Sequence, residues 1–167
     1  MHSDPLRYIQ HYPATLQAQV RALIEQDRLG DYLTSRYGEA RHQVQSDRAL
    51  YDYTHAIKQR YMRQVSQVDK VIYDQRLDVL KHALGLNTAI SRVHGGQLKA
   101  KKEIRIAGLF KDAPELFLQM IVVHELAHLK VRDHDKAFYQ LCQHMLPDYH
   151  QVEFDLRVWM IQQALAD

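Results

Sequence analysis

The chain has 167 residues, with 22 Lys and Arg against 20 Asp and Glu, so its formal net charge at pH 7 is only +2. This balance excludes a protein that coats nucleic acid by charge alone. Hydrophobic residues make up 46% and charged residues 25% of the chain, as in a folded globular domain, and this excludes an intrinsically disordered protein.

The cysteine content and the polarity of the N-terminal residues favour a reduced, cytoplasmic protein. The single cysteine, Cys142, cannot form an internal disulfide bond. The first twenty-one residues are too polar to supply the apolar segment of a signal peptide. The most apolar run, at residues 116–123, is interrupted by Gln119, so no membrane-spanning helix and no membrane partner are expected.

The first third of the chain shows helical spacing of apolar residues. A helix is expected at residues 13–29, and Gly30 can end it in a left-handed conformation. Asp47 is expected to cap a second helix with Leu50 on its apolar face. The sequence therefore predicts an N-terminal helical pair within residues 1–66.

The pattern between residues 68 and 107 changes to short runs of β-branched or alternating residues, which are typical of strands. Turns are expected at residues 74–76 and at the Gly95-Gly96 pair, because glycine tolerates the positive φ that hairpin turns require. These signals predict a small, mainly antiparallel sheet. Its strands are expected at residues 71–73, 77–80, 88–93 and 104–107.

Helical spacing returns after residue 110. Asp112 is expected to cap a first helix, with Glu115 completing a capping box. Asp135 is expected to cap a second helix, and a third follows to the end of the chain. The sequence thus predicts a single α+β domain over residues 1–167, whose metal-binding core of sheet and C-terminal helices occupies residues 67–167.

The run from His124 to His128 reads His-Glu-Leu-Ala-His and lies inside the first of these helices. Two histidines four residues apart share one face of a helix, so both imidazoles can reach one metal ion. Glu125 lies on the flank of that face, where its carboxylate can hydrogen-bond a water on the metal. The motif predicts two ligands, His124 and His128, and a catalytic general base, Glu125.

A third histidine, His134, follows His128 by six residues. The helix must end near residues 132–133 for this ring to turn back toward the ion. Three imidazoles and one water are a usual ligand set of catalytic zinc, so one Zn²⁺ per chain is predicted on His124, His128 and His134. Alternative third ligands are Asp133, Asp135 and Glu153.

An alternative interpretation needs no metal. The histidines would then be hydrogen-bonded core side chains beside a buried ion pair. This interpretation leaves several polar groups of an apolar helix unpaired, which costs free energy. The pattern therefore favours a metal centre over buried structural histidines.

The motif is part of a longer pattern. Residues 121–130 read Ile-Val-Val-His-Glu-Leu-Ala-His-Leu-Lys, followed by His134, Lys-Ala-Phe at 136–138 and Leu-Pro-Asp-Tyr at 146–149. This pattern resembles the YgjP-like metallopeptidase domain family, which is similar to the SprT-like and Wss-type zinc proteases. The resemblance covers residues 68–159 and implies a zincin-like fold. It also implies that the three histidines hold zinc and that Glu125 is the catalytic glutamate.

The leading functional hypothesis is a zinc-dependent metallopeptidase. Glu125 would take a proton from the attacking water and return it to the leaving amine of the peptide. A peptide or protein would then be the substrate. The candidate donors to the transition state are Tyr139, His144 and Tyr149.

A second hypothesis keeps the same site and changes the substrate. Residues 92–111 carry six cationic residues against one acidic residue, a net charge of +5. Cationic neighbours suit a phosphoanhydride, so a metal-dependent nucleotide pyrophosphatase is an alternative. A third hypothesis is a nucleic-acid-associated protease that is tethered by a basic hairpin. The basic residues are also compatible with a hairpin whose outer face is only solvated and binds no substrate. The cations proposed to contact a nucleotide or DNA are Arg92, Lys99, Lys101, Lys102 and Arg105.

Overall fold

The computed structural model describes residues 4–78, 91–92 and 101–167. The chain divides into two compact units, one formed by Met1–Ala40 with His150–Asp167 and the other by Arg41–Tyr149. The organisation as a single domain with a division near residue 66 stays a prediction. No helix in the described ranges is long and apolar enough to cross a membrane.

The first unit is helical. A short 3-10 helix, Pro5–Ile9, precedes α1 (Ala14–Glu25) and α2 (Leu29–Tyr37). The predicted end of the first helix at Gly30 is wrong, because Gly30 lies inside α2. The chain turns earlier, at Asp27, whose φ is 54°, a left-handed conformation that the short polar side chain of aspartate tolerates.

The second unit begins with α3 (Asp47–Tyr61), so the expected helical pair is in fact three helices. The side chain of Ser46, rather than that of Asp47, caps α3 by accepting a hydrogen bond from the backbone N–H of Ala49 at 3.1 Å. Asp47 is the first residue of the helix, and its carboxylate accepts a hydrogen bond of 2.9 Å from the backbone N–H of Tyr73. This carboxylate therefore joins the helix to the sheet.

The sheet of the second unit contains β1 (Lys70–Asp74), β2 (Ser91–Arg92) and β3 (Lys101–Ala107) among the described residues, in the order β1-β3-β2. Strands β1 and β3 are parallel from Lys70↔Glu103 to Asp74↔Ala107, whereas the two described residue pairs of β2 and β3 are antiparallel.

The prediction of a mainly antiparallel sheet is therefore wrong for these strands. Runs of β-branched residues mark a strand without specifying its partner, and a parallel pair requires a crossover of about a dozen residues or more. Residues 75–100 are long enough for that crossover. Of the predicted strand at 77–80, Leu77 and Asp78 are not in a strand. The remainder of that strand, the Gly95-Gly96 turn and most of the strand at 88–93 lie outside the described residues.

The C-terminal part contains α4 (Glu115–His128), α5 (Lys136–Met145) and α6 (Tyr149–Ala166). Asp112 does not cap α4, because Pro114 occupies the cap position and the Asp112 carboxylate pairs with Arg41 at 3.1 Å. The cap predicted for α5 is confirmed, since Asp135 accepts a hydrogen bond from the backbone N–H of Phe138 at 3.0 Å.

Helix α4 lies at the centre of the second unit. Every residue from Met120 to Ala127 is buried, with at most 3% of its surface exposed. A helix that is buried on all sides must be apolar nearly all round, and this one carries His124 and Glu125 within that segment. The fold therefore places the motif in the interior.

The two caps can be compared directly. We expect Ser46→Ala to lower the free energy of unfolding by about 1 kcal/mol, because the first turn of α3 loses its side-chain acceptor. Asp112→Ala removes only an exposed ion pair and should cost about 0.5 kcal/mol or less. Urea denaturation of both variants measures the difference, and an equal cost would contradict the assignment of the caps.

Candidate active site

Helix α4 ends at His128 with Leu129 as its C-cap, four residues before the end expected near residues 132–133. The backbone N–H groups of Lys130 and Val131 donate to the carbonyl of Ala127 at 3.1 and 2.9 Å. The N–H of Asp135 donates to the carbonyl of Asp133 at 2.9 Å. These bonds hold a short turn between α4 and α5, and the turn brings the third histidine back to the end of α4.

Three imidazole nitrogens converge at this point. The Nε2 atom of His128 lies 3.2 Å from Nε2 of His124 and 3.0 Å from Nε2 of His134, and the third separation is 3.3 Å. Ligands at about 2.0–2.1 Å from a tetrahedral zinc ion are about 3.3–3.4 Å apart. The spacing of the three nitrogens therefore fits three corners of such a coordination sphere.

The outer nitrogens of two of these rings are hydrogen-bonded. Nδ1 of His128 donates to the carbonyl of Val131 at 3.1 Å, and Nδ1 of His124 lies 2.7 Å from the hydroxyl of Tyr149. The Phe138 ring packs against all three imidazoles, with centroid distances of 4.5–5.0 Å. These contacts fix the rings with their Nε2 atoms facing one another.

Protonation also favours metal binding. Burial is the main cause that lowers the pKa of His128 to about 4, and the nearby His134 lowers it further. The ring is therefore neutral near pH 7, and neutral imidazole is the form that binds metal. The Nε2 lone pair of a neutral His128 ring, 3.2 and 3.0 Å from Nε2 of His124 and His134, is suited to bind a cation.

Glu125 is 3% exposed, and burial raises the pKa of its carboxyl to about 8. Among the described residues, none forms a hydrogen bond or ion pair with its carboxyl group. Its oxygen atoms are not among the fully buried side-chain atoms that lack a partner. Burying a carboxylate without a partner is costly, and such groups are concentrated at functional sites. The glutamate of the motif thus lies in the surroundings expected of a catalytic group.

None of the alternative third ligands belongs to the described group of residues that could share an ion. Asp135 caps α5, and Glu153 forms an ion pair of 3.3 Å with Arg157 in the first unit. Asp133 is exposed. Among the described residues, His124, His128 and His134 are the one group of three or more His, Cys, Asp or Glu close enough to share an ion.

The candidate donors are placed differently from one another. Tyr149 is fully buried and contacts the outer nitrogen of His124. The ring of Tyr139 stacks 6.3 Å from that of His134, whereas the ring of His144 packs 5.4 Å from Tyr61. The sequence did not indicate that Tyr149 contacts a predicted ligand. Its only signal was the Leu-Pro-Asp-Tyr segment of the family pattern.

The predicted basic hairpin is only partly described. Arg105 pairs with Asp74 at 2.8 Å and with Glu103 at 3.3 Å. The amine of Lys102 donates to the hydroxyl of Ser66. Lys99 and the side chains of Arg92 and Lys101 lie outside the described residues. The charge of Arg105 is therefore balanced within the sheet rather than available to a substrate.

The site and the fold together define a metal-dependent hydrolase of the α+β class. The family model described as "YgjP-like, metallopeptidase domain" matches residues 10–158, and the chain belongs to this family. A protein of Escherichia coli (strain K12) named UTP pyrophosphatase is 56% identical over 161 residues, which are 96% of each chain. No solved structure matches the chain.

This comparison corrects the leading functional hypothesis. The metallopeptidase prediction is wrong, because a relative that covers nearly the whole chain carries the name of a nucleotide pyrophosphatase. The motif describes how water and a proton acceptor are brought together, and it does not describe the electrophile that the water attacks. The hypothesis of a nucleic-acid-associated protease loses the same support, since it also requires peptide cleavage.

Proposed function

We propose that this protein is a nucleotide pyrophosphatase that hydrolyses a phosphoanhydride bond of a nucleoside triphosphate, with UTP as the preferred substrate. The observation that carries the proposal is the convergence of three Nε2 atoms within 3.0–3.3 Å at the end of a helix in which the buried Glu125 directly follows His124. The substrate class is supported by the 56% identity to a protein named UTP pyrophosphatase.

In this proposal His124, His128 and His134 hold one Zn²⁺ per chain. A zinc ion held there would supply Lewis-acid chemistry, which would make water more acidic and the phosphoryl group more electrophilic. A cation held by the three histidines would favour the ionised form of Glu125, which could then accept the proton of the attacking water. Cleavage between the α- and β-phosphorus consumes one water and gives a nucleoside monophosphate and pyrophosphate. Pyrophosphate leaves as an anion, so it does not need the proton that the amine of a peptide requires.

A triphosphate also needs cationic neighbours, and the turn between α4 and α5 supplies them. Lys130, Arg132 and Lys136 are exposed, and they form no ion pair with any residue in the described ranges. Arg132 lies two residues before His134, so their Cα atoms are at most about 8 Å apart. We propose that these three cations, rather than Arg105, bind the phosphate groups.

We expect the purified protein to hold about one zinc ion per chain. We expect the His128→Ala protein to hold much less zinc, because the two remaining imidazoles are an incomplete set of protein ligands. Metal analysis after dialysis measures the content. His55→Ala, which removes an exposed histidine of α3, should leave the content unchanged. Wild-type protein without stoichiometric metal, or undiminished metal in His128→Ala, would contradict the metal centre.

Glu125→Gln should keep the metal but lower the rate of UTP hydrolysis by about 10²–10⁴-fold, because an amide cannot accept the proton of water. Glu115→Gln is the matched control, since Glu115 is an exposed residue of the same helix. The assay follows pyrophosphate release from UTP, other nucleoside triphosphates and a casein-type peptide substrate. Full turnover in Glu125→Gln would make Glu125 structural, and cleavage of the peptide alone would refute the proposed function.

Two triple variants test which cations bind the phosphates. Replacement of Lys130, Arg132 and Lys136 by Gln should raise KM for UTP about tenfold or more, since a charge-assisted contact of about 1.4 kcal/mol corresponds to a factor of ten. Replacement of Lys99, Lys101 and Lys102 removes the same charge and should change KM little. Added salt should mimic the first variant because it screens exposed charges. The opposite ranking would assign the phosphates to the basic hairpin.

A further inference from the structure

Tyr149 has no role in the reaction proposed above. It is the first residue of α6 and is fully buried within the second unit. Its hydroxyl oxygen lies 2.7 Å from Nδ1 of His124, and the two rings are nearly parallel, with an interplanar angle of 16°. His124 is itself only 3% exposed, so bulk water is a poor substitute for this contact.

The direction of the hydrogen bond follows from the geometry of the site. A neutral imidazole carries one N–H and one lone pair. Nε2 of His124 faces the other two Nε2 atoms at 3.2 and 3.3 Å, so it must present its lone pair to bind a metal. The hydrogen is then on Nδ1, which donates to the Tyr149 oxygen. The opposite tautomer has its hydrogen on Nε2 and cannot bind an ion there.

We propose that Tyr149 is a positioning residue of the metal centre, whose hydroxyl oxygen holds His124 in the tautomer that binds metal. This inference rests on the metal centre proposed above. Partners of this kind orient ligand rings and increase metal affinity. The hydroxyl contacts the nitrogen that faces away from the convergence point, so Tyr149 acts on the metal centre through His124.

A backbone carbonyl holds His128 in the same tautomer, since Nδ1 of His128 donates to the carbonyl of Val131. That acceptor cannot be removed by a side-chain substitution. The acceptor for His124 can be removed, because Tyr149→Phe keeps the buried ring and deletes only the oxygen. The buried Nδ1–H would then lose the hydroxyl oxygen as its acceptor, which costs free energy and favours the non-binding tautomer.

The test compares zinc affinity in two phenylalanine variants. We expect Tyr149→Phe to weaken zinc binding about 10–100-fold, measured by competition with a chromogenic chelator in the absence of nucleotide. Tyr73→Phe is the matched control. The Tyr73 hydroxyl also makes a buried hydrogen bond of 2.7 Å, but it donates to the carbonyl of Val44 and touches no ligand. Its zinc affinity should equal that of the wild type.

Equal zinc affinity in Tyr149→Phe and wild type would overturn the proposal. An equal loss in both variants would also overturn it, because the loss would then report general destabilisation. The failure of the metal centre itself is distinguishable, since the wild-type protein would then bind no stoichiometric zinc.

A measurement on the wild type needs no variant. In the ¹⁵N NMR spectrum of zinc-loaded protein, we expect His124 to show a protonated Nδ1 whose proton exchanges slowly with water. A proton on Nε2, or rapid exchange at Nδ1, would contradict the role of Tyr149 even if the Tyr149→Phe protein failed to fold.

Discussion

The burial of α4 is the constraint on which the rest of the site depends. The helix has almost no exposed surface between Met120 and Ala127, and a polar atom in such a place needs a partner to offset its lost hydration. The outer nitrogens of His124 and His128 are hydrogen-bonded to the Tyr149 hydroxyl and the Val131 carbonyl, respectively. The three inner nitrogens face one another, so a cation is the partner that suits them.

The same burial explains how the three rings are held in place. Phe138 fills the space beside all three imidazoles, and it is placed there by α5, whose first turn Asp135 caps. The end of α4 at His128 and the start of α5 at Lys136 leave a turn just long enough to bring His134 back. Local chain geometry therefore generates the proposed chemistry, with the sheet as support.

The identity of the substrate is a separate question from the identity of the site. Water activation and proton acceptance are common to the hydrolysis of peptides and of phosphoanhydrides, so the His-Glu-x-x-His motif is compatible with both. The charges around the site decide between these substrates. The sequence predicted Arg105 as a phosphate ligand, but its charge is balanced by ion pairs with Asp74 and Glu103. We propose instead that the phosphate groups bind Lys130, Arg132 and Lys136, which are exposed and lie close to His128 and His134 in the chain.

The sequence by itself determined the features that depend on neighbouring residues. The spacing of His124 and His128, the end of the helix before His134 and the cap at Asp135 all follow from local geometry, and the family follows from a motif within a few turns of chain. Tertiary structure decided the rest. The parallel pairing of β1 with β3 depends on strand partners 33 residues apart, and no local pattern encodes them. Asp112 is not the cap of α4, because Pro114 occupies the cap position. The contact between Tyr149 and His124 joins residues 25 positions apart, because only the folded core shows which polar atoms must satisfy one another.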